Sequence, residues 1–346
     1  MRGVGQQMSR GTVSFAVVHG DATQADVDVL ALKHAQRFHG LDLVVADRLF
    51  ATGQEVHDLG LPPGHDALFE SRLAVDAAFV LFVGTPSLVS FTYSDVRRFA
   101  MDVLRALRAS GRRVRSVGMS LHGPGFGLDE VEAALAQLGG CVDALWAGDV
   151  PPDLEEIRIL EIDRQRCERI WSVMDETLGR VVERGLDRRA WTLGVGAPTD
   201  RGPRHESVGT VAGVVDKPHA FVAMPFAKEM EDVYYFGIQG PVRGHGLVCE
   251  RIDQEVFTGD IVEQIKRRIE SAAVVIADVT GANPNVYLEI GYAWGRARPC
   301  VLLIRDGDEP RFDIRGIRHI KYATIRELAE LLDREVGRLR EQGLIT

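Results

Sequence analysis

In Ala277-Asp278-Val279-Thr280-Gly281-Ala282-Asn283-Pro284-Asn285-Val286-Tyr287-Leu288-Glu289-Ile290-Gly291-Tyr292-Ala293 a strand ends, a turn follows and a helix begins. Ahead of it, Ala272-Ala273-Val274-Val275-Ile276 is a β-branched apolar run of the kind a strand buried on both faces shows. Asp278 falls where that strand ends. Asn283 stands as an N-cap, with Pro284 at the first helical position, where its missing N–H costs nothing. The predicted helix runs through Ala293 toward Arg296. Asn285 and Glu289 are four apart and share one helical face. Val286, Ile290, Ala293 and Ala297 form the neighbouring apolar stripe, suited to packing on a sheet. A strand-end carboxylate, an amide and a helix-borne carboxylate are therefore expected around a helix N-terminus. Open α/β sheets bind ligands outside the carboxyl ends of their strands, and the positive end of a helix favours anionic groups such as phosphate.

The flanking sequence repeats this alternation. Strands are expected over His219 to Met224, Leu247 to Ile252 (ending at Asp253), Val301 to Ile304 and Ile320 to Tyr322. Helices are expected over Ile261 to Ser271 and Arg326 to Leu339, with an irregular one over Val233 to His245, where Gly237, Gly240 and Pro241 interrupt. Five strands joined by right-handed crossovers make a parallel sheet, for which the flavodoxin-like order 2-1-3-4-5 is expected.

The first half alternates too. Strands are predicted at Val13 to Val18, Val27 to Leu32, Ala77 to Val83, Arg113 to Met119 and Ile157 to Ile162. Helices are predicted at Leu43 to Phe50, Val96 to Ala109, Asp129 to Leu138 and Arg164 to Leu178. This is an α/β layered domain. Between the halves, residues 181–216 are rich in Arg and Gly and lack sustained periodicity, which marks a linker whose arginines are expected to solvate it. The domain expectation is thus 1–180, a linker at 181–216, and 217–346.

A chain of 346 residues fits two domains, since single cores rarely grow past about 250 residues. A net charge of −9 argues against a broad nucleic-acid footprint. Cys141, Cys167, Cys249 and Cys300 are scattered, with neither a Cys-x-x-Cys pair nor paired histidines. Buried thiols in a reducing compartment are expected, not structural zinc or a disulfide framework. The apolar runs are too short to cross a bilayer, and the start lacks the apolar core of a signal peptide. A cytoplasmic protein follows, with no metal, no cofactor and no membrane partner. A homo-oligomer stays open.

Two resemblances add to this. Gly20-Asp21-Ala22-Thr23 after the first long strand, and Ser120 to Leu128 opening a helix, resemble the two ligand loops of macrodomains. The resemblance implies an α/β sandwich of macrodomain type for the N-terminal domain. It also implies an ADP-ribose-type ligand, with Asp21 at the adenine and Gly123, Gly125 and Gly127 around the diphosphate beside Gly20. The Asn-rich segment of that family is replaced here by Lys33-His34-Ala35-Gln36. In the C-terminal domain, Phe221-Val222-Ala223-Met224-Pro225-Phe226, the Asp278 strand and Asn283 to Ala293 resemble the nucleoside 2-deoxyribosyltransferase-like group, which shares its architecture with bacterial TIR-like domains. That resemblance implies Glu289 as nucleophile on an anomeric carbon, Asp278 as acid or sugar-binding residue, and Phe226 against the base. Met224, Asn283, Asn285, Arg251 and Asp253 complete the expected substrate site. The Asp-Gly-Thr that the transferases often carry upstream of the glutamate reads Asn283-Pro284-Asn285 here.

The chemistry is coherent. Cleaving an N-glycosidic bond builds positive charge on the ribose, which a carboxylate below C1′ stabilises or traps. The leading expectation is a nucleotide N-glycosidic bond hydrolase acting on NAD or a nucleoside phosphate. A nucleotide-sensing first domain would regulate it, as in bacterial signalling and antiviral defence proteins. A non-catalytic nucleotide sensor or scaffold, and a deoxyribosyltransferase, are the alternatives.

Overall fold

The computed structural model describes residues 11–179, 183–184, 187–195, 217–252, 259–311 and 314–345. Asp253 and residues 196–216 lie outside the described residues. The chain divides into two compact units, the second of which counts Pro124–Asp129 among its residues.

Among the described residues the first unit holds β1 (Thr12–His19), β2 (Val29–His34), β3 (Asp66–Glu70), β4 (Phe79–Gly84), β5 (Ser116–Ser120), β6 (Glu156–Glu161), β7 (Glu183–Arg184) and β8 (Arg188–Gly194). They form one sheet in the order β3-β4-β2-β5-β6-β1-β8-β7. The run from β4 to β1 is parallel. The outer pairings, β3 with β4, β8 with β1 and β7 with β8, are antiparallel. Helices α2 (Tyr93–Ala109), α3 (Glu130–Ala147) and α4 (Arg164–Leu178) cover one face, with Phe99, Leu138 and Ile170 in its core. On the other face α1 (Leu41–Ala51) buries Val45 and Leu49. Thr92 and Asp95 start α2 with a capping box, and Asp163 caps α4.

Three features depart from expectation. The edge strand β3 has no buried face, which removes the alternation that marks a strand. Strand β8 lies inside the expected linker. Its Trp191 and Leu193 are buried, Arg188 pairs with Glu156, and Arg189 pairs with Asp175 while lying 5.2 Å from the Trp171 ring. These two arginines are held in the fold and do not simply solvate a linker. Helix α3 continues past Leu138 through Gly139-Gly140, and a Cβ at Gly140 would sit 2.0 Å from the Arg97 carbonyl oxygen on α2. Glycine there permits close helix packing where the sequence suggests a stop.

The second unit is a five-stranded sheet of β9 (His219–Ala223), β10 (Val248–Glu250), β11 (Val274–Asp278), β12 (Cys300–Arg305) and β13 (His319–Tyr322). The order is β10-β9-β11-β12-β13, with every pairing parallel, which is the expected 2-1-3-4-5. A π-helix over Val233–Gln239 runs into the short α5 (Gly240–Gly244). Then come α6 (Gly259–Ser271), α7 (Pro284–Gly295) and α8 (Ile325–Glu341). The π-helix and α8 pack on one face around Val274, Ile276 and Tyr322. Helices α6 and α7 pack on the other around Val275, Ala277 and Ile290.

Candidate functional site

Strand β9 has β10 on one side and β11 on the other, so the connections leave it in opposite directions. The C-terminal ends of β9 and β11 therefore form the topological switch point, where sheets of this kind bind ligands. Met224-Pro225-Phe226 follows β9, Arg251 follows β10, and the turn into α7 follows β11.

Asn283 caps α7 by accepting the Asn285 N–H at 2.9 Å, and Pro284 opens the helix. The buried stripe is Val286, Ile290 and Ala293. Asn285, Glu289 and Tyr292 follow one another down the flank beside it. On that flank Tyr292 donates its hydroxyl to Glu270 of α6, so Glu289 lies on the side of α7 that faces α6. Its side chain is half-buried, and it has no hydrogen-bond or ionic partner among the described residues. Loss of water alone pushes its carboxyl up to about 8.

Asp278 stands apart from this. Val274 and Ile276 belong to the core under α8, and Val275 and Ala277 to the core under α6 and α7. Side chains alternate along a strand, so Asp278 points to the α8 face, away from the helix that carries Glu289. It is fully buried, accepts the Tyr322 hydroxyl at 2.7 Å and accepts the Thr280 N–H at 3.0 Å. Burial raises its pKa against the opposing pull of those bonds. The sequence grouped Asp278 with Glu289; the fold separates them across the sheet.

Of the remaining expected contacts, Phe226 is 40% exposed at the end of β9, whereas Met224 is 2% exposed and belongs to the core. Half-buried Arg251 lies 4.2 Å from the Tyr234 ring centroid and 5.9 Å from that of Phe226. Tyr234, which the sequence did not single out, donates its hydroxyl to the Cys249 carbonyl and so holds the ring that Arg251 covers. The interruption at Gly237, Gly240 and Pro241 was the available signal: the chain takes up a π-helix there, and such turns gather at functional sites.

In the first unit, Asp21 accepts both the Thr23 N–H (2.8 Å) and the Thr23 hydroxyl (2.9 Å) through one oxygen, capping a 3-10 turn. The neighbouring Gly20 donates its N–H to the Glu161 carbonyl. Gly123, Gly125 and Gly127 all have left-handed φ, of 105°, 84° and 88°. Within the second unit, the Phe126 carbonyl accepts from Gln264, and a Cβ at Gly127 would come 3.1 Å from Ile252. Buried Asp129 accepts from Gln239 at 3.0 Å and from Arg243.

Among the described residues, no group of three or more His, Cys, Asp or Glu could hold a metal ion, and no helix is long and apolar enough to cross a membrane. Cys141, Cys167 and Cys249 are buried free thiols and Cys300 is half-buried.

No family model matches the chain, and no curated protein matches it. Among solved structures, the Oceanobacillus iheyensis macrodomain with ADP is 12% identical at a TM-score of 0.37, covering 49% of this chain and 97% of that one. The Trypanosoma brucei macrodomain in complex with ADP-ribose is 16% identical at a TM-score of 0.39, covering 46% of this chain and 68% of that one. Likenesses of this size assign no activity; function has to be argued from the chain's own residues.

Proposed function

We propose that the second unit hydrolyses the N-glycosidic bond of a nucleotide, with Glu289 as the carboxylate that meets C1′. The supporting observation is one side chain: a half-buried carboxyl on the flank of α7 beside the switch point, without a partner among the described residues and pushed up to about 8. A glutamate serving structure alone is paired or solvated, because a dry, unpaired carboxylate is costly. Perturbed carboxyls in clefts are candidates for chemistry.

At neutral pH the free side chain holds its proton. Positive charge on the ribose favours the anion, so Glu289 gives its proton up to solvent water when the cationic nucleotide binds. The carboxylate then stabilises or traps the sugar cation while the C1′–N bond breaks and the base leaves with the bonding pair. Water then attacks C1′, displacing the carboxylate if it has bonded there, and the proton that water releases goes back to Glu289. Asp278 is engaged by Tyr322 and Thr280 and so does not serve as the second acid. This favours a base that leaves without being protonated because it is already a cation, as nicotinamide is in NAD. Phe226, exposed beside Arg251, offers a ring face to the base.

The test is chromatography of NAD, nucleoside phosphates and deoxynucleosides after incubation with the full-length protein, with and without an acceptor base. Free base without acceptor is the expected result. Exchange only with acceptor identifies a transferase, and saturable binding without conversion identifies a sensor; either result removes the hydrolase reading.

A further inference from the structure

The turn between β11 and α7 contains two successive left-handed residues, Gly281 (φ 71°) and Ala282 (φ 52°). Alanine is strained there, so the turn needs support from outside. Asp278 accepts the Thr280 N–H from within the strand. Further support comes from the end of β12 and the segment that follows it. Arg305 donates its N–H to the Thr280 hydroxyl at 2.9 Å, and the Arg311 guanidinium donates to the Ala282 carbonyl at 3.3 Å. Gly281 donates its N–H to Asp308 Oδ2 at 2.9 Å. One turn into α7, the Tyr287 hydroxyl accepts the Arg311 N–H at 3.0 Å, and the Arg311 guanidinium lies 5.6 Å from the Tyr287 ring centroid.

Asp308 differs from the rest of this brace. It is exposed, belongs to neither core, and its carboxylate makes this one bond among the described residues. It holds the more permissive of the two left-handed residues, two positions before the Asn283 cap. From that point α7 runs as a continuous helix, so the orientation of its first turn sets where Glu289 stands.

We infer that Asp308 is a positioning residue for Glu289: by accepting the Gly281 N–H it fixes the start of α7 and thereby the place of the glutamate over the β9–β11 edge. The kinetic part of this inference rests on the hydrolase reading; the structural part does not. A misplacement of about 1 Å at a reacting group can cost on the order of a hundredfold in rate, so a bond remote from the chemistry is felt there.

The experiment compares the full-length wild type with Asp308→Ala and Asp308→Asn; the amide oxygen of asparagine can still accept from Gly281. Amide hydrogen exchange reads the Gly281 N–H, and carboxyl carbon resonances read the titration of Glu289. In Asp308→Ala, Gly281 should exchange roughly tenfold faster, since its N–H loses its acceptor. The Glu289 midpoint should fall below its wild-type value as water reaches the carboxyl. Asp308→Asn should restore both. If base release is measurable, kcat should drop about tenfold in the alanine variant with KM within about twofold, the pattern of a disturbed transition state. Wild-type exchange and midpoint in Asp308→Ala would overturn the inference. Faster exchange with an unmoved midpoint overturns it too, because Asp308 would then hold the turn and nothing beyond it. So does an asparagine variant that behaves like the alanine one. A wild type that releases no base sinks only the hydrolase reading, since neither spectroscopic readout needs turnover.

Discussion

Two turns in this chain have the same local chemistry and different surroundings. Asp21-Ala22-Thr23 follows β1, and Asp278-Val279-Thr280 follows β11. In each, the aspartate accepts the N–H of the threonine two residues on, the local bond by which Asp favours turns. The first aspartate is half-buried, and among the described residues its carboxylate is met by that threonine alone. The second is fully buried and also anchors Tyr322 from across the sheet. An aspartate at a strand end is thus no marker of chemistry by itself. Among the described residues of the second unit, the half-buried carboxyl left without a partner is Glu289, borne by the helix that the second turn launches.

The largest effect expected is at Glu289. Glu289→Gln should abolish base release while leaving nucleotide binding within roughly tenfold, because it keeps the shape and removes the oxygen that matters in the transition state. Retained turnover in the purified variant would remove Glu289 from the site. The same substitution probes the dry carboxyl directly. A folded pKa above the unfolded value means the native state binds the proton more tightly. Ionisation therefore destabilises the fold as pH rises from the ordinary glutamate range of 4.5 toward about 8. The glutamine variant should be more stable than wild type at pH 8, by about 2–4 kcal/mol, and should match it at pH 4. The lower end is expected because water reaches part of the side chain. Thermal melts at the two pH values read the difference.

Asp278→Ala comes next and breaks the comparison from the other side. It leaves the Tyr322 hydroxyl and the Thr280 N–H without their acceptor, at about 1–3 kcal/mol for each buried orphan. Denaturant unfolding should show the loss. Asp278→Asn, which can still accept, should lose less. Equal stability of wild type and the alanine variant would mean that the buried carboxyl anchors nothing.

Phe226→Ala should weaken nucleotide binding by about 1–3 kcal/mol, the range for base–aromatic stacking. It should barely move the melting temperature, since the ring is 40% exposed. A large loss of stability with unchanged binding would return Phe226 to the core.

The smallest effect belongs to Asp21. Asp21→Ala removes a cap at a half-exposed turn and should cost about 0.5–2 kcal/mol. If the first unit senses a nucleotide, the variant should also alter the ligand dependence of base release and leave the basal rate as it was. A ligand response identical to wild type with every nucleotide tested would remove Asp21 from any such site.

What the sequence determined by itself is whatever short-range physics decides. The β-branched run predicts β11, Asn283 and Pro284 predict the start of α7, and the alternation of elements predicts a parallel sheet in the 2-1-3-4-5 order; all three are observed. Only the tertiary structure decided which face of the sheet Asp278 occupies. Both faces of β11 are apolar, so no alternation of polarity tells them apart, and the crossovers alone place α7 on one side and α8 on the other. The strands β3 and β8 were hidden for a related reason. An edge strand with no buried face carries no hydrophobic period, and in β8 the alternation of buried Trp191 and Leu193 with exposed Thr192 is short and follows two arginines; they become strands because β4 and β1 offer them open edges. The isolation of Glu289 was equally illegible, because the absence of a partner is set by every element that packs around the site, and no spacing along one helix records it.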